Sequence, residues 1–175
     1  MNSYPIRKAD LLWQGILIGV VGGIAEIAVV CSFTALSGGN AATVARGIAY
    51  VVGLDGMSAG EGVAVHMGLA AMLGVALLTV LRMMPLWATA GHALPFMLFS
   101  LAMVWVINFF VVLPAMGSGF TYLLPNAVTL ASKLSFGLTA AIVLSLKDSG
   151  SSARSTEDNA IGSGTRIMVG SAGIL

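Results

Sequence analysis

An all-α integral membrane protein, a bundle of four spanning helices, is the fold class this sequence predicts, and three observations predict it. The 175-residue chain is 58 % hydrophobic and 9 % charged, with a mean hydropathy of +0.98, too little polar surface for a soluble globule of this size. Four apolar stretches, at 11–35, 61–81, 94–113 and 125–146, match the ~20 residues that cross a hydrocarbon core. Lys and Arg also fall unevenly between the alternating connections.

Residues 1–10 read as a short polar cytoplasmic leader in which Arg7 and Lys8 flank the first span. Asp10 is placed to N-cap it, and Trp13 to sit at the headgroups. A secretory signal would also begin with basic residues. The run from Leu11 to Ala35 is longer than a signal core, holds Glu26 and lacks a small-x-small cleavage pattern. Val30 is likewise too bulky for lipoprotein processing at Cys31, so a retained helix is expected. On that helix Gly15, Gly19, Gly22 and Glu26 follow at spacings of four, three and four, which places them on one face. Gly15, Gly19 and Gly23 satisfy G-x-x-x-G twice, and close packing inside the bundle is preferred to a dimer seam.

Leu36 to Gly60 is too long for a tight hairpin. Within it, Ala41 to Val52 reads as a short amphipathic or re-entrant helix at the outer interface, with Arg46 its only charge. The second span carries a row of small residues, Gly62, Ala70 and Gly74, with His66 completing the repeat, and stops at Arg82. Glu61 is expected near the outer headgroups, with Arg46 as a partner across the loop. The third span holds Pro95 in its first turn and ends at Pro114. It carries Phe96, Phe99, Trp105, Phe109 and Phe110, with Asn108 as its strongly polar interior residue. Pro125 opens the fourth span at the first helical position, and Thr129, Ser132, Lys133 and Ser135 follow. Residues 147–175, rich in Ser, Gly and charge, read as a disordered cytoplasmic tail.

With the N-terminus inside, the inner segments hold Arg7, Lys8, Arg82, Lys147, Arg154 and Arg166, and the outer ones Arg46. Both termini are therefore expected in the cytoplasm. That topology puts Glu26 and Lys133 ~12 to 14 Å below the outer boundary, and His66 and Asn108 ~8 to 9 Å below it. A charged group at such depth faces the bundle interior and finds a partner. The expected centre is thus a Glu26 to Lys133 ion pair extended by His66 and Asn108. It either fixes helix register or marks a proton, ion or solute site.

Other chemistry is thinner. His66 and His92 fall at opposite membrane faces, which excludes one haem between them. His92 is expected to cap the third span. A weak copper set would draw on His66, Met67, Met57 and Met116, since thioethers suit Cu(I). Met67, however, points about 100° away from His66 on a helix, and no cofactor is predicted. One cysteine allows neither an intrachain disulfide nor a cysteine metal cluster. No basic patch points to nucleic acid. Ser132 and Ser135 lack a base, so no catalytic constellation is formed.

The segments GGIAEIAVV, ARGIAYVVG, GVAVHMGLAAMLGVAL, VINFFVVLP and LPNAVTLASKLSFGL together resemble an uncharacterised family of small bacterial four-span inner-membrane proteins. The resemblance covers about residues 11–146 and implies an inner-membrane bundle, with no activity to transfer. The function expected is a non-enzymatic accessory or assembly subunit of a larger membrane complex, in contact with lipid and with partner subunits or copies of itself. A small oligomeric ion- or proton-coupled transporter using Glu26 and Lys133 is the alternative, followed by a copper- or cofactor-binding subunit.

Overall fold

A computed structural model describes residues 8–84, 90–117 and 119–147. These residues form an all-α bundle with no strand among them. The elements are α1 (Lys8–Ser37), α2 (Ala41–Val51), α3 (Ala59–Met83), α4 (Ala90–Ile107) and α5 (Asn126–Lys147). A π turn, Asn108–Val112, and a further α turn, Leu113–Ala115, continue α4. Among the described residues, four helical runs are long and apolar enough to cross a membrane: Ala9–Ser37, Ala59–Met83, Ala93–Ala115 and Asn126–Lys147.

Several boundaries differ from the sequence reading, each for a local reason. α1 begins at Lys8, so Asp10 lies in its first turn and does not cap it. There its carboxylate still meets the positive end of the helix dipole. α3 starts two residues earlier than expected because Ser58 and Glu61 form a capping box. Glu61 Oε2 accepts from Ser58 N at 2.7 Å and from Ser58 Oγ at 2.8 Å. Glu61 is therefore committed to its own helix end and not to Arg46, whose Nη2 donates to Thr43 Oγ1 at 3.5 Å.

Pro95 sits inside α4, beyond its first turn. Pro114 does not end the third span, because the chain widens into the π turn just before it and closes one more helical turn through Leu113–Ala115. A wider turn absorbs a residue that has no N–H to give. Pro125 precedes the first residue of α5 and caps it through its carbonyl, which accepts from Val128 N at 2.9 Å. The His92 side chain, residues 1–7 and residues 148–175 lie outside the described residues.

α1 and α3 form the tightest pair, and glycine is the reason. A Cβ on Gly15 would stand 2.6 Å from Val75 Cα, and one on Gly19 would meet the Ala70 carbonyl. From the other side, a Cβ on Gly74 would meet the backbone of Gly15 and Gly19. Gly62 belongs to a different contact, since it faces Ala45 of α2. The row of small residues on α3 is thus divided: Ala70 and Gly74 serve α1, and Gly62 seats α2. Apolar residues Ile18, Leu78, Met97, Leu101, Phe136 and Ala140 close the core among α1, α3, α4 and α5.

A buried ionic centre at the junction of three helices

Two close helix contacts set up the centre. Gly22 of α1 lies under the Phe136 ring, where a Cβ would be 2.6 Å from the ring carbons. One turn along each helix from that contact stand Glu26 on α1 and Lys133 on α5, on the same faces. Gly23 packs on Ala70, where a Cβ would be 2.8 Å from the alanine methyl. One turn along from this second contact stand Glu26 again and His66 of α3. Two glycine contacts therefore aim side chains of two helices at one carboxylate.

Lys133 Nζ lies 2.6 Å from Glu26 Oε1, and His66 Nε2 lies 3.3 Å from Glu26 Oε2. Glu26 is 3 % exposed, while the His66 and Lys133 side chains keep 17 % and 18 % of their surface. Each carboxylate oxygen thus faces its own nitrogen. Neither Glu26 Oε1 nor His66 Nε2 completes a hydrogen bond of good geometry, so the contact with His66 is electrostatic in character. Asn108 does not join the three: no hydrogen bond connects it to them among the described residues. It opens the π turn of the third span instead.

The surroundings of the centre are asymmetric. The buried polar residues Glu26, Thr34, Thr129 and Ser132 lie at the level of the centre or nearer the end that carries α2. On the opposite side stand Ile18, Leu77, Leu78, Phe136 and Ala140, all buried and apolar. The hydroxyls are satisfied locally: Thr34 donates to the carbonyl of Val30 or Cys31, each at 3.0 Å, and Ser132 to that of Thr129 at 2.8 Å. Trp105 Nε1 donates to Thr129 Oγ1 at 2.9 Å and ties the third span to α5. Its ring stacks on Phe109 at 5.7 Å and meets Phe110 edge-on at 5.4 Å.

That Trp105 to Thr129 bond and the seat of Phe136 on Gly22 were not visible in the sequence. Each joins positions on different helices that no spacing rule relates. The methionines named for copper are dispersed. Met67 Sδ packs near Gly23, Met57 lies in the loop before α3, and Met116 is exposed at the end of the third span. Among the described residues no group of three or more His, Cys, Asp or Glu side chains is placed to hold a metal ion. No protein-family model, curated protein or solved structure matches the chain.

Proposed function

We propose that this protein is a non-enzymatic accessory or assembly subunit of a larger membrane complex, with Glu26, Lys133 and His66 as the internal lock of its bundle. The observation that carries the reading is the closure of the centre within one chain. A carboxylate in the hydrocarbon needs compensation, and here α3 and α5 supply it without a second protein. The glycines of α1 are likewise taken up inside the bundle, Gly15, Gly19 and Gly23 by α3 and Gly22 by α5. What the bundle offers outward is apolar surface of membrane-spanning length, suited to lipid and to the helices of partner subunits.

The unequal distribution of Arg and Lys supports a reading with both termini in the cytoplasm, and the resemblance noted above favours a bacterial inner membrane for the bundle. Purification from native membranes in mild detergent tests the assembly reading. A stoichiometric set of other subunits, retained on the wild-type chain and lost when a lipid-facing residue such as Phe99, 68 % exposed, is changed to Arg, supports it. A chain that runs as a monomer or homo-oligomer free of other subunits overturns it.

A second reading is favoured by the asymmetry of the centre. Polar on the α2 side and sealed by Phe136 and its apolar neighbours on the other, it has the form of a site served from one side. In that reading the chain is a small oligomeric proton- or ion-coupled transporter. Proton-coupled flux through purified chain in vesicles, abolished by Glu26→Gln, is its test.

A further inference from the structure

The end of the bundle opposite α2 holds a cation that the chain does not answer. Arg82 stands in the last turn of α3, and its Nε is enclosed by protein without a hydrogen-bond acceptor. Among the described residues no carboxylate pairs with its guanidinium, and no carbonyl at the end of α3 accepts from it. A buried donor left this way is costly and asks for an explanation. Helix packing fixes where the group lies. α1 and α3 run antiparallel, Gly19 against Ala70 and Ala71, and Gly15 against Val75. Two further turns along both helices, about seven residues, bring Lys8, the first residue of α1, level with Arg82. Leu11, Leu78 and Leu81 pack in the apolar core just below. The guanidinium therefore lies at the rim of the hydrocarbon with its Nε turned inward.

We infer that Arg82 is the headgroup site for a phospholipid of net negative charge, held at the α1 and α3 seam. Nη1 and Nη2 are not enclosed with Nε, so a guanidinium anchored at its inner nitrogen keeps two donors in a fixed fork. Phosphate oxygens match that fork. The positive end of the α1 dipole lies at the same level and adds to the field, while Asp10 of that first turn is exposed and makes no ion pair with Arg82. A headgroup with its own ammonium would bring a second cation to this place, so a net anion is preferred. The lipid tail also has a path. Met72, Ala76 and Met83 follow one another on α3 at spacings of four and seven, which makes one row. All three are exposed, Met72 at 70 % and Met83 at 76 %. The row runs from the level of Arg82 toward the middle of the membrane, where an acyl chain can lie and a free phosphate ion gains nothing.

The inference is independent of whether the chain assembles with other subunits. Native mass spectrometry of the full chain, titrated with phosphatidylglycerol or with phosphatidylcholine of the same acyl chains, tests it. The wild-type chain should bind phosphatidylglycerol more tightly, and Arg82→Gln should weaken that binding about tenfold, the worth of one charge-assisted contact. Arg46→Gln, at the α2 end, should leave it unchanged, because Arg46 is exposed and donates to Thr43. Excess inorganic phosphate should not displace the lipid. Equal binding of the two lipids, indifference to Arg82→Gln, an equal loss with Arg46→Gln, or displacement by inorganic phosphate would each overturn the inference. If Arg82→Gln fails to fold, phosphatidylglycerol with a photoreactive headgroup still decides the matter on the wild-type chain. Adducts gathered at residues 8–12 and 79–84 support the site, and adducts at the α2 end or spread over both ends contradict it.

Discussion

The Glu26 carboxylate of α1 and the Lys133 ammonium of α5 stand 2.6 Å apart, one turn from the point where Gly22 lies under the Phe136 ring. The ion pair and the glycine contact are one construction. A side chain at position 22 would push Phe136 away and draw Lys133 with it. Both charges would then be left deep in hydrocarbon, where an unpaired charge costs several kcal/mol.

The α1 and α3 interface gives a first prediction, with its own control. Gly74→Ala puts a methyl against the backbone of Gly15 and Gly19, and overpacking of this kind costs about 1–3 kcal/mol. Gly68, on the same helix, has open space where its Cβ would be. Gly68→Ala should therefore be neutral or stabilising by up to about 1 kcal/mol. Denaturant unfolding of the two variants in detergent reads the difference, and equal stabilities would remove the close approach from the description.

Much of this architecture was legible from residue pattern. Apolar stretches of spanning length located the four spans, because lipid demands helices that satisfy their own backbone. Charge depth nominated Glu26, His66 and Lys133, because polar groups are too rare in such stretches to be incidental. Helix rotation was less legible. The glycines of α1 seemed to form one face, whereas Gly15, Gly19 and Gly23 meet α3 and Gly22 meets α5. Asn108 had a suitable depth but entered a π turn, and depth carries no information about rotation around a helix axis. Glu61 looked like a partner for Arg46 until Ser58, three residues before it, claimed its carboxylate.

The link between the third span and α5 supplies another test. Thr129→Val removes the acceptor of Trp105 Nε1 and leaves an indole N–H unsatisfied in an apolar setting, at a cost of about 1–3 kcal/mol. Trp105→Phe should cost less, since Thr129 keeps its own bond to the Asn126 carbonyl at 3.0 Å and no donor is orphaned. Unfolding measurements that rank the two the other way would contradict the assigned hydrogen bond.

Topology can be read chemically because the chain has a single cysteine. In a Cys31→Ala background, Leu54→Cys lies in the loop after α2 and Met83→Cys at the opposite end of α3; the native side chains are 39 % and 76 % exposed. With the termini in the cytoplasm, an impermeant maleimide added to intact cells whose outer barrier has been opened should label position 54. Position 83 should react only after the inner membrane is permeabilised. The reverse pattern would invert the proposed orientation.

The most direct measurement is a double-mutant cycle on Glu26→Gln and Lys133→Met, read as unfolding free energy in bilayers or mild detergent. Each single change leaves one buried partner uncompensated and should cost about 3–5 kcal/mol. The double change should recover much of that, with a coupling of about 2 kcal/mol or more. Single costs that simply add, to within about 0.5 kcal/mol, would show that the two charges do not hold the helices together.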